Sequence, residues 1–82
     1  MSAPPALRFR RNFAGSYRAE AFGNCIALIE SAEVADLPRR EWLVTYRRYS
    51  PAMGMWIEDD ADRVESLSAG KAAAADWLAR LN

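Results

Sequence analysis

The chain has 82 residues, 51% of them hydrophobic and 27% charged, and its eleven Lys/Arg are matched by eleven Asp/Glu. That length makes one domain, and area scaling has folding bury roughly 63% of the unfolded surface, enough for one modest core. There is no histidine and only one cysteine, which excludes Ser-His-Asp and Cys-His catalysis, His-ligated zinc, an internal disulfide and a four-cysteine metal site.

Residues 1–5 contain Pro4-Pro5 and read as a flexible tail ahead of a single domain over 6–82. No apolar stretch follows Arg8, Arg10 and Arg11, so no signal peptide is expected and the chain reads as cytoplasmic. Leu7, Phe9 and Phe13 alternate with Arg8, Arg10 and Asn12, which predicts a first strand. Ala14-Gly15-Ser16 is a turn signal. A second strand follows over Ser16–Phe22, with Tyr17, Ala19 and Ala21 on one face and Arg18, Glu20 and Phe22 on the other. Gly23-Asn24 suits a two-residue hairpin turn, since both residues tolerate positive φ. Cys25–Glu30 is then the returning strand. It is apolar on both faces and so expected to be central, with Cys25 as a buried thiol.

Ser31–Asp36 fits one helical turn, ended at Leu37-Pro38. Glu41–Tyr49 is the clearest strand, placing Trp42, Val44 and Tyr46 on one face. Ser50-Pro51-Ala52-Met53-Gly54 is a loop, and Met55–Glu58 is a short strand that pairs back. The acidic run Glu58-Asp59-Asp60-Ala61-Asp62 reads as a solvated turn. A helix capped by Ser66 or Ser68 runs to about Leu81, with Leu67, Gly70, Ala74, Trp77, Leu78 and Leu81 on its apolar face. The predicted fold is α+β: an antiparallel sheet of four to five strands packed against one C-terminal helix.

Three surfaces stand out. Glu58, Asp59, Asp60, Asp62 and Glu65 form an acidic patch. A calcium loop beginning at Glu58 would need Gly where Arg63 stands and Glu where Ala69 stands, so that reading fails. A negative patch docking a basic partner surface is the functional reading. Reversing Asp59, Asp60 and Asp62 to Lys would then weaken binding with folding intact. Met53, Met55 and Trp56 form an adaptable loop patch for a protein partner. The third surface is basic and aromatic: Arg8, Arg10, Arg18, Arg47 and Arg48, with Arg11, Arg39 and Arg40, interleaved with Phe9, Phe13, Tyr17, Tyr46 and Tyr49. It admits nucleic acid, the alternative being a solvated sheet face with cross-strand ion pairs. Charge is segregated, with eight Arg against five acids over 1–48 and three basic groups against six acids over 49–82. Gly70-Lys71 is not a phosphate-binding loop, because Ala72 follows it and Glu65 stands where the first glycine belongs.

The Trp-led strand Glu41-Trp42-Leu43-Val44-Thr45-Tyr46 followed by Ser66-Leu67-Ser68-Ala69-Gly70-Lys71-Ala72-Ala73-Ala74 opening a final helix resembles, in layout, many very small proteins of phages and mobile elements. Among these are anti-CRISPR and other anti-defence inhibitors. The layout is also similar to the three-stranded DNA-binding modules of phage integrases. The first resemblance implies a non-enzymatic protein that docks on a host protein or ribonucleoprotein complex and occludes it, and the residue inventory above leads to no expected cofactor or metal. The second implies a small DNA- or RNA-binding domain. Neither assigns a role to a particular residue. Apolar residues on both faces of the 25–30 and 41–49 strands also admit a homodimer.

Overall fold

A computed structural model describes residues 7–81. The tail over 1–5 lies outside the described residues. Five strands form one antiparallel sheet in sequence order: β1 (Arg10–Phe13), β2 (Ser16–Ala21), β3 (Cys25–Ser31), β4 (Trp42–Ser50) and β5 (Met55–Val64). A single turn, α1 (Ala32–Ala35), joins β3 to β4, and α2 (Leu67–Arg80) packs across β3, β4 and β5. Every connection within the sheet joins neighbours, so β1 and β5 are its two edges.

The sheet's two faces follow from strand alternation. Across the middle of the helix-bearing face, Ala19, Ala27 and Tyr46 lie in one cross-strand row, beside a second row of Tyr17, Ile29, Val44 and Asp62. Ala27, Ile29, Val44 and Tyr46 are completely buried there with Ala74 of the helix, and Trp77 and Leu78 are nearly so. The small residues Ala19, Ala21 and Ala27 leave room for the Trp77 and Tyr46 rings. These rings stack with centroids 4.8 Å apart and planes 22° apart. The opposite face carries Arg18, Leu28, Thr45 and Ala61 in one row and Glu20, Ile26, Arg47 and Glu58 in the next. Thr45 is only 4% exposed there although α2 lies on the other face. Its cross-strand neighbours on this face are Leu28 and Ala61.

Helix α2 begins as its residues dictate. Ser66 is its N-cap, its Oγ accepting from the Ala69 N–H at 3.0 Å. Gly70 faces the sheet. A Cβ there would stand 3.1 Å from Ile29 Cγ2 and 3.3 Å from Val44 Cγ2, both on fully buried β-branched side chains. The glycine's helix cost of about 1 kcal/mol relative to Ala is therefore exchanged for close helix–sheet approach.

Three details differ from the sequence reading. β1 starts at Arg10, and Leu7 and Phe9 instead pack against the core from an irregular approach. The β2–β3 turn has positive φ at Phe22 (57°) and Gly23 (71°), with Asn24 N–H donating to the Ala21 carbonyl at 3.3 Å. The turn is thus one residue earlier than Gly23-Asn24, and Phe22 leaves β2. A bulky aromatic in that left-handed region is strained, and Phe22 is 52% exposed, so packing offsets little of the strain. Asn-Gly is the favoured pair at such a turn. Phe22→Asn should therefore raise stability by about 0.5–1 kcal/mol, read as a higher urea midpoint at unchanged slope; a lower midpoint would overturn this account of the turn. Finally, β5 is ten residues long and the acidic run lies within it, so the expected solvated turn is a strand.

Candidate functional site

Strands β4 and β5 outrun the rest of the sheet. β3 begins at Cys25, opposite Arg48, so the segment from Tyr49 to Trp56 projects past it as a hairpin tip. A local network shapes the turn: Gly54 N–H donates to the Ser50 carbonyl at 2.8 Å, Met53 N–H to Ser50 Oγ at 3.3 Å, and Gly54 has φ 66°. Tyr49 and Trp56 are cross-strand partners whose rings meet edge to face at 5.6 Å and 67°. Such pairing stabilises a hairpin while leaving the ring faces available. Of the seven exposed large hydrophobic residues among those described, five are here: Tyr49, Met53, Met55, Trp56 and Ile57. Met53, Met55 and Trp56 are thus brought together, and the structure adds Tyr49 and Ile57 to them. Strand alternation in Met55-Trp56-Ile57 could not announce that both faces stay exposed.

The five acidic residues separate. Between Tyr46 and Arg47 the β4–β5 register shifts, so that Asp60 opposes Tyr46, Glu58 opposes Arg47, and Asp59 is the inserted residue of a bulge. Glu58, on the open face, and Asp60 are exposed, and Glu65 is exposed beyond the strand's end. Asp59 and Asp62 turn toward the helix side and are engaged internally. Asp59 accepts from Arg48 at 2.9 Å and from the Trp77 indole N–H at 3.4 Å. Asp62 accepts from the Tyr46 hydroxyl at 2.8 Å. Reversing Asp59 or Asp62 to Lys with folding intact, as the sequence suggests, is thus corrected: both carboxylates hold core aromatics.

The electrostatics follow from these bonds. Hydrogen bonding by Arg48 is the largest cause holding the Asp59 carboxyl below its ordinary value of 3.8; partial burial opposes it and Trp77 assists. Burial and the Asp62 carboxylate push the Tyr46 phenol up, so it remains a hydrogen-bond donor. Burial also pushes up the Cys25 thiol, which raises the barrier to thiolate chemistry there. For Asp59 the folded state releases its proton more readily than the unfolded state, so unfolding takes up protons at acid pH. Its stabilisation is complete above the ordinary carboxylate value and is lost as pH falls through the lowered one. The urea midpoint should begin to fall below about pH 5 and go on falling as the pH drops past the ordinary carboxylate value, and Asp59→Asn should flatten that fall while lowering the midpoint at neutral pH. An equally steep fall in the variant would assign it to other carboxylates.

The basic residues separate as well. Arg10 and Arg18 are register partners across β1–β2, with Arg11 opposite Tyr17 beside them. Arg47 lies two strands away from Arg18, and Arg48 is on the other face, bonded to Asp59. Arg8 is exposed ahead of β1, and Arg39 and Arg40 sit in the α1–β4 connection. The set is therefore a basic edge at β1 plus scattered arginines, and no continuous basic face is formed. Among the described residues, no three acidic or cysteine side chains gather as a metal site requires, and no helix is long and apolar enough to cross a membrane. No protein-family model, no curated protein and no solved structure matches this chain.

Proposed function

We propose that the protein is a non-enzymatic interaction module that docks on a partner protein through the β4–β5 hairpin tip. The observation that carries this reading is the concentration of Tyr49, Met53, Met55, Trp56 and Ile57 on one protruding, internally bonded hairpin. Exposed aromatics and methionines held on a rigid element are the composition of binding hot spots. Glu58 and Asp60 follow immediately along β5, so the fitting partner surface is an apolar pocket with a basic rim. The narrower reading, an anti-CRISPR-like inhibitor from a phage or mobile element that occludes a host nucleic-acid-handling complex, is supported by the layout resemblance and by this charge pattern. The basic surface that such a complex presents to nucleic acid is what a negative hairpin would cover.

The test is an affinity capture from nuclease-treated bacterial lysate at two salt concentrations, run in parallel with wild type and Trp56→Ala. The expected result is a defined protein complex retained by wild type, lost by Trp56→Ala, and resistant to nuclease. Equal recovery by both chains would remove the hairpin tip from the function.

A further inference from the structure

At the other edge of the sheet, β1 and β2 bring like charges together. Arg10 stands directly opposite Arg18 on the open face, and such a pairing costs stability unless an anion lies between them. Arg10, Arg11, Asn12, Arg18 and Glu20 line an open groove of about 540 Å³ along this edge, with Arg11 coming to it from the position opposite Tyr17. Its one carboxylate, Glu20, is bonded to Arg18. Among the described residues no carboxylate pairs with Arg10 or Arg11. Phe13 ends the same strand with 58% of its surface exposed. On the neighbouring face the Lys71 ammonium lies 5.9 Å from the Phe9 ring centroid and 6.0 Å from that of Tyr17, adding positive potential beside the groove.

We propose that the β1 edge binds single-stranded nucleic acid, with Arg10, Arg11 and Arg18 taking backbone phosphates and Phe13 stacking on a base. Guanidinium forks match phosphate oxygens in geometry as well as charge. The Asn12 amide donates one N–H to Ser16 Oγ at 3.2 Å, which leaves its second N–H as a neutral donor beside them. A positive groove next to an exposed ring is the arrangement that holds unpaired strands without reading sequence, because every base presents a π face. An acidic peptide would use the arginines but leave Phe13 without a role. This edge is three strands from the β4–β5 hairpin, so the proposal stands or falls independently of hairpin docking.

Fluorescence anisotropy with a labelled twelve-residue oligothymidylate tests it. Three phosphate contacts predict a log–log salt slope of about −2, so raising salt from about 50 to 200 mM should weaken binding about 20-fold. Arg10→Ala/Arg11→Ala should bring the slope near −0.7, reducing that salt effect to about threefold. Phe13→Ala should cost roughly tenfold in affinity with the slope unchanged. All these side chains are exposed, so the Phe13→Ala melt should overlay the wild type, and the double variant, relieved of the Arg10–Arg18 repulsion, should melt at or above it. Trp56→Ala should bind the oligonucleotide normally. Absence of binding at low salt, an unchanged slope in the double variant, or displacement by polyglutamate as efficient as by unlabelled oligonucleotide would overturn the proposal.

Discussion

Trp77→Ala should lower stability by about 3–5 kcal/mol and the melting temperature by some 15–30 °C. Trp77 is 4% exposed, stacks on the fully buried Tyr46 and donates its indole N–H to Asp59. Its removal acts through three routes at once. It opens a cavity between helix and sheet, strips a face from the Tyr46 ring, and takes one donor from the Asp59 carboxylate. A domain of this size has only about 4–12 kcal/mol of net stability, so the variant should stand near the edge of unfolding at 37 °C. Trp77→Phe separates the routes. It keeps an aromatic face against Tyr46 and loses the indole donor and part of the volume, so it should retain most of the stability. Chemical denaturation followed by far-UV circular dichroism reads both. A Trp77→Ala denaturant midpoint equal to that of wild type would mean that α2 is not anchored through this contact.

The elements that were legible before the structure are those in which one physical pattern runs without interruption. β4 alternates strictly through Trp42, Val44 and Tyr46, and α2 keeps its apolar spacing from Leu67 to Leu81, with Ser66 as a strong cap. β5 was half legible for a physical reason. Acidic residues are disfavoured in strands, and the bulge at Asp59 reverses the alternation in the middle of the run, so the second half of a ten-residue strand reads as a turn. What holds the strand down is non-local. The partners of Asp59 and Asp62 are Trp77, Arg48 and Tyr46, between 11 and 18 residues away. Nothing within a short window of the chain could reveal that these two carboxylates bond inward while Glu58 and Asp60 are left outside. The Phe22 turn escaped for the converse reason. Turn chemistry favours Gly and Asn at positive φ, and the backbone instead uses Phe22. Of the candidate surfaces, Met53, Met55 and Trp56 were legible from composition, whereas the β1 edge emerges only when register places Arg10 opposite Arg18.

This division of the acidic residues makes hairpin docking sharply testable. Against the partner recovered by affinity capture, Trp56→Ala should weaken binding about 30-fold or more, the cost of truncating an aromatic hot spot. Met53→Ser should cost less, because a flexible thioether at 64% exposure has alternatives to any single contact. Glu58→Lys should mainly slow association, with a deficit that shrinks as salt rises, because rim charges steer encounter more than they hold the complex. All three should stay folded, since the side chains are exposed; Met53→Ser should melt with wild type, whereas Trp56→Ala, which loses the Tyr49 contact, and Glu58→Lys, which sets a like charge opposite Arg47, should melt lower by up to about 8 °C. Asp62→Lys should behave differently. It removes the acceptor of the Tyr46 hydroxyl and places an ammonium on a half-buried position, so it should lower stability by about 2 kcal/mol, the range for a hydrogen bond to a charged group. Any loss of binding in Asp62→Lys should track its unfolded fraction and recover at lower temperature, whereas the Trp56→Ala deficit should persist. Binding by Trp56→Ala within twofold of wild type would place the partner on another face of the sheet. A binding loss in Asp62→Lys at full folding would return Asp62 to the contact surface.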